Sequence, residues 1–67
     1  MNIRMISLNH PAVTVSKLLG REALVNGRVG VIERDPLGGY LPVVGFTDHT
    51  WAPAADRHGL VSLVMED

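Results

Sequence analysis

Cysteine is absent from the chain, so disulfide staples are excluded and nothing points to an oxidising compartment. Long apolar runs are missing too. No stretch approaches the roughly 18 apolar residues of a membrane-spanning helix. The N-terminal Met1–His10 alternates apolar with polar residues and lacks the apolar core of a secretory leader. A cytoplasmic protein with no membrane partner is expected. Aromatic residues are scarce, with Tyr40, Phe46 and Trp51 one of each kind. Neither sign of charge dominates, the net being −1. A strongly basic nucleic-acid binder is therefore disfavoured.

What is present fits one small globular domain. Sixty-seven residues leave no room for two cores, and an apolar fraction of 46% argues against disorder. A core of this size supplies only about 3–5 kcal/mol, so a partner subunit is a natural supplement. Charge is unevenly spread along the chain. Residues 1–34 hold Arg4, Lys17, Arg21, Arg28 and Arg34 against Glu22 and Glu33, a net of +3. Residues 35–67 hold Arg57 against Asp35, Asp48, Asp56, Glu66 and Asp67, a net of −4. Such a two-signed surface can steer a complementary partner, a second copy included, or can simply keep a small domain soluble.

The firmest local signal is Asn26-Gly27. Both residues tolerate positive φ, as a type I′ hairpin turn requires, and aliphatic residues flank them. Pairing across this turn sets Leu24 opposite Val29 and Glu22 opposite Val31. Gly30, inside the second strand, implies a bulge or the close approach of another backbone. Asp35-Pro36-Leu37-Gly38-Gly39 reads as the next turn. A strand is expected from Tyr40 to Phe46, at an edge or bulged because Pro42 cannot donate to a ladder. Thr47-Asp48-His49 reads as a turn into Thr50-Trp51-Ala52, Pro53–Arg57 as one 3₁₀ turn, and Leu60–Met65 as a last strand. Met1–Leu8 has the alternation of a strand, and Ser16–Leu24 has partial helical spacing interrupted by Gly20. In the last strand Val61, Leu63 and Met65 face one way and Leu60 and Val64 the other. Antiparallel sheets normally leave one face wet, so this pattern calls for a cover: the N-terminal segment or another chain.

The order of elements resembles small SH3-like barrels of the KOW and tudor type. The resemblance runs through Gly20-Arg21, Asn26-Gly27-Arg28-Val29-Gly30-Val31, Trp51-Ala52-Pro53-Ala54-Ala55-Asp56 and Leu60–Val64. It covers residues 20–64 and leaves 1–19 as an N-terminal extension. It implies a mostly β fold, a small barrel of about five antiparallel strands with one 3₁₀ turn before the last. Tyr40–Ala55 is also similar in rhythm to the plasmid-borne type II dihydrofolate reductases. Their pore-lining Val-Gln-Ile-Tyr is replaced here by Asp48-His49-Thr50-Trp51, so the activity does not carry over.

No constellation of catalytic residues stands out. His10, His49 and His58 fall in predicted turns without the i, i+2 or i, i+4 spacing that puts metal ligands on one face. Ser7, Ser16 and Ser62 lack a nucleophile-elbow context. Gly38-Gly39 is not followed by the Lys-Ser/Thr of a phosphate loop. The chain is expected to be non-catalytic, with no metal and no cofactor. Its expected role is a protein-interaction module that self-associates, with Tyr40, Trp51, Val61, Leu63 and Met65 as contact residues. A small accessory protein of a phage or mobile element fits the size. The competing reading is a nucleic-acid-binding barrel using Arg21, Arg28 and Arg34, since barrels of the resembled type often bind RNA or DNA. Trp51 is either the core plug or an exposed anchor.

Overall fold

A computed structural model describes residues 1–65 and shows a mostly β domain. Its elements are β1 (Asn2–Ser7), α1 (Val15–Leu18), β2 (Glu22–Val25), β3 (Arg28–Glu33), β4 (Val43–Gly45), β5 (Trp51–Pro53) and β6 (Leu60–Met65). The strands form one antiparallel sheet in the order β1-β6-β2-β3-β4-β5. Beyond β5 the chain returns to β6 through an isolated bridge between Ala55 and Val61, which curls the sheet around its core.

The hairpin of β2 and β3 has the register that Asn-Gly dictates, with Leu24 opposite Val29 and Glu22 opposite Val31. Asn26 and Gly27 both take positive φ, at 51° and 78°. Gly30 is buried and sits in unbroken register, so it marks no bulge. A Cβ there would lie 2.5 Å from both the Gly45 carbonyl oxygen and Val44 Cγ1. The glycine lets β3 and β4 close on each other.

Four sequence expectations change. Six strands form instead of about five, because the N-terminal alternation does make a strand and that strand pairs along the whole of β6. The strand expected over Tyr40–Phe46 shrinks to Val43–Gly45 and lies inside the sheet, between β3 and β5. Pro42 precedes the ladder, and its carbonyl accepts the Ala54 N–H at 3.1 Å. The 3₁₀ turn expected over Pro53–Arg57 is replaced by the Ala55–Val61 bridge and a turn from Asp56 to Gly59. The partial helical spacing gives only the four residues of α1. Its Thr14 cap makes no side-chain capping bond to the helix backbone, and the chain turns away at Gly20, φ 85°. So short a helix persists because Leu18 anchors it in the core.

Core packing rests on Ile32, Val44 and Val61, the largest fully buried side chains, with Leu18, Ala23, Ala54 and Leu63 around them. Ile32 is clamped on both backbone groups: its N–H donates to Arg21 at 2.8 Å and its carbonyl accepts from Gly20 at 2.9 Å.

Three aspartates fold the loops. Asp35, Asp48 and Asp56 each accept the backbone N–H two residues on, from Leu37, Thr50 and His58. Asp56 also accepts from Leu60. The Leu60 and His58 N–H groups, in that order, hold the Asp56 carboxyl below its ordinary range. At Asp48 the Thr50 hydroxyl leads, followed by the Thr50 N–H and the Arg28 guanidinium. Carboxyls depressed on folding add stability that is present above the unfolded value, about 3.9 for Asp, and lost as pH falls through the folded one. Thermal unfolding from pH 6 down to pH 3 should show Tm falling below about pH 4. Asp48→Asn/Asp56→Asn should flatten that fall. An equally steep fall in the double variant would move the acid sensitivity elsewhere.

Candidate interaction surfaces

Alternation along each strand and the register across the sheet fix which side chains share a face. Ile3 lies opposite Val64, and Met5 opposite Ser62. Ala23 lies opposite Leu63, so continuing that register one residue each way sets Glu22 beside Val64 and Leu24 beside Ser62. Val31 lies opposite Gly45, and Gly45 opposite Trp51. One row of the outer face therefore runs Ile3, Val64, Glu22, Val31, Gly45, Trp51. The next runs Met5, Ser62, Leu24, Val29. Among these, Ile3, Met5, Val29, Val31 and Trp51 are exposed and Glu22 is charged. Glu33, on the same face of β3 as Val31, lays its carboxylate over Gly45. The outer face thus presents exposed apolar side chains interrupted by two carboxylates, Glu22 and Glu33.

The N-terminal segment does not cover that face. It extends the sheet sideways and makes β1 an edge. The Leu8 N–H donates to Gly59 at 2.9 Å, in register with the β1–β6 ladder. Backbone groups alternate sides along a strand, so Arg4 and Ile6 point toward β6. Ile3 and Met5 direct their N–H and C=O groups to the open edge. On the far side of β6, the Asp56 N–H donates to Leu60 at 3.0 Å, as this alternation requires. Ile3 is 40% exposed and Met5 55%.

The residues expected to make contacts are dispersed. Val61 and Leu63 are buried in the core, and Met65 packs partly against it. Trp51 is 43% exposed on the outer face and is not the core plug. Tyr40 is 90% exposed on the loop between β3 and β4, with Leu37 and Leu41 also exposed. Leu41 shares a shallow groove of about 370 Å3 with Leu8 and Asn9, which places this loop beside the end of β1.

The three arginines of the hairpin are split. Arg28 sits next to the turn, pairs with Asp48 at 3.0 Å and stacks over Phe46, its guanidinium carbon 4.1 Å from the ring centre. Arg21 and Arg34 flank the opposite end of the same hairpin. Arg21 instead lines a groove with Arg4 and Lys17. The charge split between the halves of the sequence is thus partly folded together across Arg28 and Asp48.

Among the described residues, no group of three His, Asp or Glu side chains converges on a point that could hold a metal ion. His10 Nδ1 accepts the Ala12 N–H, and His49 takes positive φ in the β4–β5 turn. No helix among those residues is long and apolar enough to cross a membrane.

Two features escaped the sequence reading. The Asx turns had a signal, since Asp two residues before a loop N–H is a known turn former. The basic groove had only the local pair Lys17 and Arg21 as a signal, because Arg4 joins them through the β1–β6 pairing. Comparison with protein-family models, with curated proteins and with solved structures finds no match.

Proposed function

We propose that this chain is a non-catalytic protein-interaction module that self-associates through β1. The observation that carries the reading is the open β1 edge, which pairs outward backbone groups with the exposed side chains of Ile3 and Met5. An unprotected edge strand is a template for another strand, and a second copy offers the same one. Of the symmetric antiparallel registers that suit these outward groups, two overlap β1 most, centred on Arg4 and on Met5. Centring on Arg4 sets two like charges directly opposite, which is destabilising. Centring on Met5 sets Met5 against its own copy, Arg4 against Ile6 and Ile3 against Ser7, and it joins the outer rows of the two molecules. The Met5-centred register is the one proposed.

Size limits the affinity. A standard interface takes roughly 800 Å2 from each partner, about a sixth of the 4750 Å2 surface here. One six-residue strand falls short of that, so the Leu37/Tyr40/Leu41 loop beside the end of β1 enlarges the contact. A dissociation constant of about 10–100 μM fits a small interface of this kind. An SH3-like architecture belongs to the same proposal. The β2–β6 strands and the Ala55–Val61 bridge support it, and the missing 3₁₀ turn and the added β1 depart from it.

Sedimentation velocity from about 5 to 500 μM tests the association. A concentration-dependent dimer is expected, and Met5→Lys should weaken it at least tenfold while leaving the Tm nearly unchanged. Hydrogen exchange gives a residue-level check. The Ile3 and Met5 amides should gain protection with concentration, whereas those of Arg4 and Ile6 are protected throughout. A monomer at 500 μM, or a Met5→Lys protein that still dimerises with wild-type affinity, would falsify the reading.

A further inference from the structure

On the flank of β1 that faces α1, a shallow groove of about 280 Å3 lies between the two elements. Its rim carries Arg4 from β1, Lys17 from α1 and Arg21 from the approach to β2. Its floor is apolar and includes Ile6, Val13 and Leu18. Arg4 faces this side because it alternates with the outward-facing Ile3 and Met5 and lies opposite the buried Leu63. The only ion pair among the described residues joins Arg28 to Asp48, so none of the three rim cations is neutralised there. The Arg21 guanidinium donates to the Met65 sulfur at 3.5 Å.

Three cations with no ion pair among the described residues, set around an apolar floor, define an occupant with two properties: negative charge at its margins and an apolar side chain between them. We infer that the groove binds an acidic peptide segment of a partner protein, in which one aliphatic residue is flanked by Asp or Glu. The aliphatic side chain covers Ile6, Val13 and Leu18, and the flanking carboxylates reach Arg4, Lys17 and Arg21. Guanidinium groups suit carboxylates because their donors match both oxygens. Nucleic acid fits less well. No aromatic side chain lines the groove to stack a base, and an apolar floor gives nothing to a phosphate backbone. The inference stands apart from self-association, because the groove uses one side of β1 and the dimer uses its edge.

The test is a titration of the isotope-labelled protein, in the Met5→Lys background, with the acetylated, amidated peptide Asp-Glu-Leu-Glu-Asp, followed by NMR at about 20 mM and 200 mM salt. The expected result is a set of shifts confined to Arg4, Ile6, Val13, Lys17, Leu18 and Arg21, weakening with salt. Arg4→Gln/Lys17→Gln/Arg21→Gln should weaken binding at least tenfold. Arg34→Gln/Arg57→Gln, which removes charge elsewhere, should leave it within twofold. Replacing the peptide's leucine by glycine should cost about fivefold, which separates the apolar floor from plain charge attraction. Absence of groove shifts, equal binding by the triple variant, or no dependence on the leucine would each overturn the inference. So would tighter groove binding of a single-stranded oligonucleotide of equal charge, which would make the site one for nucleic acid.

Discussion

Gly30→Ala should remove about 2 kcal/mol, roughly half of the protein's stability. The alanine Cβ would meet the Gly45 carbonyl oxygen and Val44 Cγ1 at 2.5 Å, and Phe46 Cδ1 at 2.9 Å. Two of these neighbours are core or backbone and cannot swing away. Val44 is fully buried, and the Gly45 carbonyl belongs to the β3–β4 pairing. Overpacking of this kind costs about 1–3 kcal/mol, and a collision with backbone belongs at the upper end. The strand gain from replacing glycine returns only about 0.5–1 kcal/mol. Against a total of about 3–5 kcal/mol, a net loss of about 2 kcal/mol leaves a folded protein with a much reduced margin. Gly45→Ala is the matched control. Its Cβ meets only the carboxylate end of Glu33, a flexible and exposed side chain that can move aside. Urea unfolding followed by circular dichroism should place the Gly45→Ala midpoint near wild type and the Gly30→Ala midpoint at roughly half the wild-type value. Equal midpoints would mean that β3 and β4 do not approach as closely as described.

Ile32→Ala is expected to be more severe, for a different reason. Ile32 is the largest of the fully buried side chains and occupies the middle of the single core cluster. Truncating a buried isoleucine costs about 2–5 kcal/mol, depending on how far the surroundings collapse. The backbone of Ile32 is held by both Gly20 and Arg21, which restrains collapse and favours the upper half of that range. Ile3→Ala removes the same atoms from an exposed edge position and should cost under about 1 kcal/mol. The two variants together separate core from surface. A small loss at Ile32 would show that the centre of the sheet is loosely packed.

These two positions also mark how far the fold was legible. Gly30 was readable because a glycine among β-branched residues has few purposes, and the close approach of a second backbone was among those foreseen. The Asn26-Gly27 hairpin was readable because its turn chemistry is local and fixes register over several residues. Legibility stopped where pairing partners were distant. Nothing near Asn2–Ser7 says that its partner is Leu60–Met65, so β1 was seen as a strand without a neighbour. Pro42 misled in the other direction. It sits one residue before β4, and the missing N–H therefore did not push that strand to an edge. In the last strand, the two-sided apolar pattern was real, yet Val61 and Leu63 serve the core while Val64 joins an outer row. The basic groove needed Arg4 from a distant strand to join Lys17 and Arg21, and that long-range step had no local trace.

The pairing of β1 with β6 sets Asn2 beside Met65, so the two ends of the described chain meet side by side. This contact closes a loop of more than sixty residues, and the same last strand also receives β2 and the Ala55 bridge. The entropy of such a closure has to be met before the contacts it enables can reward it. The hairpin at Asn26-Gly27 forms at no such cost, on a timescale of about 1–10 μs. The sheet as a whole therefore belongs with the slower, high-contact-order folders, in the millisecond-to-second range. Until β6 docks, β1 exposes two unpaired edges instead of one, and the folding chain is then more prone to strand exchange between copies than the finished molecule.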